Sequence, residues 1–218
     1  MASTIKVDTI TTPDGTGNIA FSRPIVADVS NVTGTLPAID GSNLTGLSAG
    51  AWSVKSSGTA TNVATLEFTG ITKTTRVLLT NFSPAVSPTN VGVRTSSNGG
   101  TSYDVGGSDY RYLFQYDEWS VTSYQEQKGL NDGIYAMSSL GNGATDTNIF
   151  DLTIFEPQNA ARYTVSRIDN CQYNVSNGQM SQMQGYCWRE QAAVVNALQW
   201  LLTVGTTFSC TYLVLELN

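Results

Sequence analysis

The chain contains no histidine among its 218 residues. That absence removes every catalytic set built on an imidazole base, Ser-His-Asp and Cys-His alike, together with every His-based metal site. Cysteine is scarce as well: Cys171, Cys187 and Cys210 are all there are. They can close at most one disulfide, and their spacings match no common zinc pattern. Buried free thiols are expected, and nothing in the chain calls for a metal or cofactor. Basic residues are few and scattered, 11 Lys and Arg against 17 Asp and Glu, for a formal charge of -6. With no basic cluster to track phosphates, nucleic acid is not the expected partner, and the mildly acidic balance is read as a contribution to solubility.

Long apolar runs are missing too. None approaches the roughly 20 residues that span a bilayer, and the N-terminus lacks the apolar core of a secretory signal. A soluble, unexported chain is therefore expected. The Asn-x-Ser/Thr triplets at Asn31, Asn43, Asn81 and Asn174 then read as chance products of Asn- and Thr-rich loops rather than glycosylation sites. Helical periodicity is confined to Glu190–Leu202, where Val194, Leu198, Leu201 and Leu202 share a helical face. There Val195, Ala197, Gln199 and Leu201 also alternate as a strand would, and strand is the favoured reading.

What the chain does have begins with Val26–Gly50, a stretch of Gly, Ser, Thr, Asn and Asp carrying small apolar residues every three to five positions. Val29, Val32, Leu36, Ile39, Leu44 and Leu47 are too sparse to bury a core within one copy. Several copies side by side could bury them along a common axis, so these six are the expected contacts of a shaft. Before them, Ile5, Val7 and Thr9 and then Ile19 and Phe21 flank Pro13-Asp14-Gly15, which predicts a small hairpin needing outside support. Asp14–Asn18 is a turn on this reading, because it lacks the spaced acidic ligands of a calcium loop.

Beyond Gly50 the texture changes to short alternating runs divided by turn residues. Ala64, Leu66 and Phe68 alternate; Arg76–Phe82 is apolar enough to be covered on both faces; Val91 and Val93 precede Ser97-Asn98-Gly99-Gly100. Tyr110–Tyr116 is aromatic, Phe150, Leu152 and Ile154 alternate ahead of Pro157, and Tyr163, Val165 and Ile168 form a further run. Many short strands with turns between them predict an all-β, antiparallel two-sheet sandwich, jelly-roll-like in its connections. The last two runs, joined by Gly205-Thr206-Thr207, are expected to close as a hairpin. Leu213, Leu215 and Leu217 then share one face of the final strand, and Phe208, Cys210, Tyr212 and Val214 the other. A strand apolar on both faces needs a core on one side and a neighbour on the other.

The densest mixture of aromatics and short acids runs from Tyr103 through Tyr110, Tyr112, Tyr116, Trp119 and Tyr124. Flat rings beside carboxylates suit sugars, since a pyranose face can lie on a ring while the acids accept hydroxyl hydrogen bonds. Tyr103, Asp104, Asp109 and Trp119, near the turns, are the candidate binding residues, whereas Tyr110, Tyr112 and Tyr116 share one strand face and fit a core or a subunit interface better. Trp188, beside Cys187, is a further candidate, though a large apolar ring is more often packed inside. Asp104, Asp109, Asp117 and Glu118 could also be read as a glycosidase pair, but solvated loop charges account for them more simply.

Leu36-Pro37-Ala38-Ile39-Asp40-Gly41-Ser42-Asn43-Leu44-Thr45-Gly46-Leu47 resembles the connectors of bacteriophage tail fibres, and Thr4–Ile25 resembles the start of fibre-like virion proteins of tailed phages. The C-terminal part is similar to small β-sandwich modules at fibre ends, through Leu66–Ile71, the turn Ser96–Tyr103 and the pattern Val194–Leu217. Ser120–Asn148 carries no part of the resemblance. The resemblance implies a non-enzymatic homotrimer in the virion, assembled in the bacterial cytoplasm. Its parts would be a virion-docking segment over residues 1–25, an extended shaft over 26–50 and a head over 51–218. The head would meet a host surface glycan, with no nucleic acid and no membrane insertion. A head fibre, decoration or connector protein binding only other virion proteins is the alternative, and a carbohydrate-degrading fibre a weaker one.

Overall fold

The computed structural model describes residues 51–86, 89–118, 125–131, 133–142, 146–174, 179–204 and 206–218. The chain divides between Leu47 and Ser48, and every described residue belongs to the C-terminal unit. The N-terminal hairpin expected over Thr4–Phe21, the shaft residues Val29, Val32, Leu36, Ile39, Leu44 and Leu47, and Trp119 lie outside the described residues.

Among the described residues the chain is all strand and turn, as the alternating runs predict. The strands are β1 (Trp52–Val63), β2 (Thr65–Thr69), β3 (Thr75–Pro84), β4 (Thr89–Ser96), β5 (Tyr110–Glu118) and β6 (Gln125–Asn131). They continue with β7 (Ile134–Leu140), β8 (Thr147–Phe155), β9 (Tyr163–Asn174), β10 (Gln179–Ala192), β11 (Ala197–Leu202) and β12 (Phe208–Leu217). They form two sheets, an eight-stranded one in the order β1-β12-β3-β8-β9-β10-β5-β6 and a four-stranded one in the order β2-β11-β4-β7. All the pairings are antiparallel.

Period-two patterning explains which faces meet. On β3, Thr75, Val77 and Leu79 are buried; on β8, Phe150, Leu152 and Ile154 are; on β11, Leu198, Trp200 and Leu202 are. Rings join the sheets: Phe68 of β2 meets Tyr212 of β12 edge-on at 5.3 Å, and Phe150 of β8 meets Trp200 of β11 at 5.8 Å. Phe82 lies between Phe150, at 5.0 Å, and Phe208, at 4.7 Å. Each such side chain contributes about 1.5–3 kcal/mol by leaving water, and the Phe68–Tyr212 and Phe150–Trp200 contacts tie the two layers together.

Tyr110 and Phe114 on β5 are fully buried, with Tyr112 and Tyr116 packed against the same core, so the tyrosine stripe is packing. Two features differ from the sequence reading. β11 and β12 are not a hairpin, because β11 pairs with β2 and β4 while β12 pairs with β1 and β3 in the other sheet. Both runs are apolar because they close one core from opposite sides, an outcome that local pairing of neighbours would forfeit. On β9 the polar residues Thr164, Ser166, Asn170 and Gln172 are the buried ones, while Tyr163, Val165 and Tyr173 are exposed. Ile168 is buried beside these polar residues, while three other apolar side chains of the strand face outward with Arg167 and Asp169.

Candidate functional site

The loop after β4 is organised by its own polar side chains. Ser96 Oγ accepts from the backbone N–H groups of Asn98 and Gly100 at 3.2 and 3.0 Å and donates to Asn98 Oδ1 at 2.8 Å. Gly99 and Gly100 take positive φ, 74° and 90°, which a side chain would strain. Asn196, just before β11, holds the turn from outside by accepting from Gly99 N at 2.7 Å and donating to Ser97 O at 3.0 Å.

Of the residues singled out in this region, Tyr103 is half-buried, and burial with the nearby charge of Glu67 pushes its phenol up to about 12. Asp104 is committed inward. Its Oδ1 accepts from Arg189 Nη2 at 2.9 Å, its Oδ2 lies 2.7 Å from Arg189 Nε, and Thr95 Oγ1 donates to it at 2.8 Å. The Arg189 side chain is only 3% exposed. Tyr110 completes the cluster: its hydroxyl accepts from Thr95 N at 2.7 Å, and burial raises its pKa above the usual phenol range. Asp109 caps a tight turn, accepting from Gly106 N at 2.6 Å. The structure thus brings Tyr103, Asp104 and Asp109 onto one loop and gives both carboxylates internal partners. Asp109 and Asp117 sit at opposite ends of β5, roughly 26 Å apart by strand rise, too far for the carboxylate pair of a glycosidase.

A second group of side chains meets on the outer face of β9, β10, β5 and β6. Register sets Asp169, Gln184, Gln115 and Glu126 in one row across these strands, and Arg167, Tyr186, Leu113 and Lys128 in the next. Between the rows lies a groove of about 300 Å³. Tyr186 stands 52% exposed beside it, and Arg167 and Asp169 are ion-paired at 2.7 Å. Next to it, a depression of about 330 Å³ is lined by Arg111, Lys128 and Trp188 among others. The Arg111 guanidinium lies 6.0 Å from the Trp188 ring centre and 2.9 Å from Glu190 Oε1. An aromatic face, two amides, two carboxylates and a guanidinium supply alternating donors and acceptors around one apolar plane, which is the chemistry a saccharide presents in return.

None of the groove residues stood out in the sequence, although Trp188 in the neighbouring depression did. They come from strands up to about seventy residues apart in the chain, and isolated Gln, Arg and Asp positions carry no local signal until the register is known. Gly185 keeps this part of the sheet closely packed. A Cβ there would sit 2.2 Å from Leu113 O and 2.5 Å from Phe114 Cδ1. Gly185→Ala should therefore destabilise the fold by about 1–3 kcal/mol, the usual cost of overpacking, visible as a lower urea midpoint.

The three cysteines are free, with Cys187 and Cys210 buried and Cys171 half-buried. Burial pushes the Cys210 thiol up to about 11 and Cys187 further in the same direction, so neither is a nucleophile at neutral pH. Comparison of the chain with protein-family models, with curated proteins and with solved structures finds no match in any of the three.

Proposed function

We propose that this chain is a non-enzymatic structural protein of a tailed-phage virion, a tail fibre or similar appendage. On this reading residues 1–25 dock it on the particle, residues 26–50 join three copies, and a jelly-roll-like β-sandwich head binds a host-surface glycan. Strand order supports the jelly roll, since β1 pairs with β12, β2 with β11, β3 with β8 and β4 with β7. A long hairpin wound around a core gives that order, with its pairs assigned alternately to the two sheets. β5–β6 and β9–β10 are then two insertions that pair with each other through β5 and β10 and widen one sheet.

The observation that carries the glycan reading is the groove on those insertions, where an exposed tyrosine ring stands beside amides, carboxylates and a guanidinium. An insertion is free to vary without disturbing the core pairs, which is where recognition surfaces are found on rigid frames. Threefold repetition would raise weak single-site binding to useful avidity. Glycan-array binding of the full-length chain tests this. Tyr186→Ala with Gln184→Ala should lower the signal at least about tenfold, as loss of one stacking contact and one or two hydrogen bonds predicts. A parallel Tyr103→Ala, Asp109→Ala variant tests the β4–β5 loop, and unchanged binding by both variants would reject both surfaces. No binding by the wild type to any host glycan, with the protein present in particles, would favour the alternative of a head fibre, decoration or connector protein. The apolar side chains on the outer face over β1, β12, β3 and β8 are the feature on that side.

A further inference from the structure

We infer that the outer face of the eight-stranded sheet, over β1, β12, β3, β8 and the start of β9, is where copies of this chain pack against one another. The inference rests on the self-assembling reading above and names its surface. Register places Trp52 beside Leu217, Val54 beside Leu215, Leu213 beside Leu78 and Phe155 beside Val165, all on the face turned away from the core. Val54 is 64% exposed and Tyr163, at the start of β9, 53%. The opposite face of these strands is already filled, with Val77, Leu79, Leu152, Ile154 and Val214 fully buried. An outward groove of about 370 Å³, lined by Trp52, Phe155, Tyr163, Val165 and Leu217 among others, has room for a partner's side chains.

Three features point to a second copy as the occupant. The first is size. Five strands at about 4.8 Å spacing and three outward residues deep make a face of roughly 400 Å², apolar at the residue pairs named above and crossed by the Arg76–Asp151 pair. That suits the core of an interface burying about 800 Å² per partner. The second is charge. The chain carries -6 overall, yet on this face Asp151 is paired with Arg76 and Asp169 with Arg167, and the groove lining sets one acid, Glu156, against one base, Arg162. Two copies of this face can meet without the like-charge repulsion that other parts of the surface would bring. The third is attachment. Fifty residues precede Ala51, and Ala51 is bound to the other end of the chain by Asn218 N donating to its carbonyl at 3.0 Å. On the shaft reading of residues 26–50, copies would be tethered beside Trp52, the edge of this patch.

The test is sedimentation equilibrium on the full-length chain. The wild type should weigh a multiple of 23.3 kDa. Val165→Lys with Leu217→Lys should weaken the dissociation constant at least about 100-fold, because two charges would be buried unpaired. Thr65→Lys, on the exposed side of the small sheet, should leave it unchanged. If the double variant loses its strand circular dichroism, Val54→Lys decides instead: its side chain touches little within the chain, and it should weaken assembly about tenfold or more. A wild type at 23.3 kDa would overturn both this inference and the trimeric reading. An assembled wild type with undiminished assembly in a folded variant would overturn this face alone.

Discussion

Replacing Asp104 with alanine should cost about 3 kcal/mol of stability, the low end for breaking a buried ion pair. The Arg189 side chain it leaves behind is 3% exposed and would keep its charge with no carboxylate facing it. Asp104 itself is 18% exposed, so water can partly replace it, which places the cost at the lower end. The effect should appear in urea unfolding followed by tryptophan fluorescence, as a lower midpoint at constant slope. Arg189→Met alone should cost a similar amount. The double variant should cost less than the sum, because an apolar pair removes both charges from the interior together. Additive losses would mean that the two residues act independently and that the contact does not hold the β4–β5 loop to β10. Asp104 is thus a residue on which a binding assay misleads unless stability is measured beside it.

Phe150→Ala should be of the same size or larger, about 3–5 kcal/mol. Phe150 is fully buried, and its ring touches Phe82 in its own sheet and Trp200 across the core. Removing it opens a cavity between two layers of strands, which cannot close without moving both. Phe150→Leu, which keeps most of the volume, should cost well under half as much. If Phe150→Ala lowered stability by less than about 1 kcal/mol, the two sheets would not be held together through this ring.

Much of the strand content was legible because burial on one side of a sheet writes a period of two into the chain. Phe150, Leu152 and Ile154, or Leu66 and Phe68, are unambiguous for that reason. The Gly99-Gly100 turn was legible through its need for positive φ. The tyrosines of β5 read as core or subunit interface from alternation alone, and the burial of Tyr110 decides for core. Asp104 was singled out for its neighbours in sequence, but its decisive neighbour, Arg189, is 85 residues away.

By itself, then, the sequence determined that this part of the chain is an antiparallel β structure, that imidazole chemistry is absent, and that β12 is apolar on both faces. Those properties follow from composition and from local alternation. Tertiary structure alone decided that β11 and β12 lie in different sheets, that β9 turns Thr164, Ser166, Asn170 and Gln172 inward beside Ile168, and that Arg167, Asp169, Gln184, Tyr186 and Gln115 line one groove. The physical reason is common to all three. Side-chain period reports that a residue has an inside and an outside, but which strand lies beside it is set by closing a shared core, and that choice leaves no mark within a few residues of sequence.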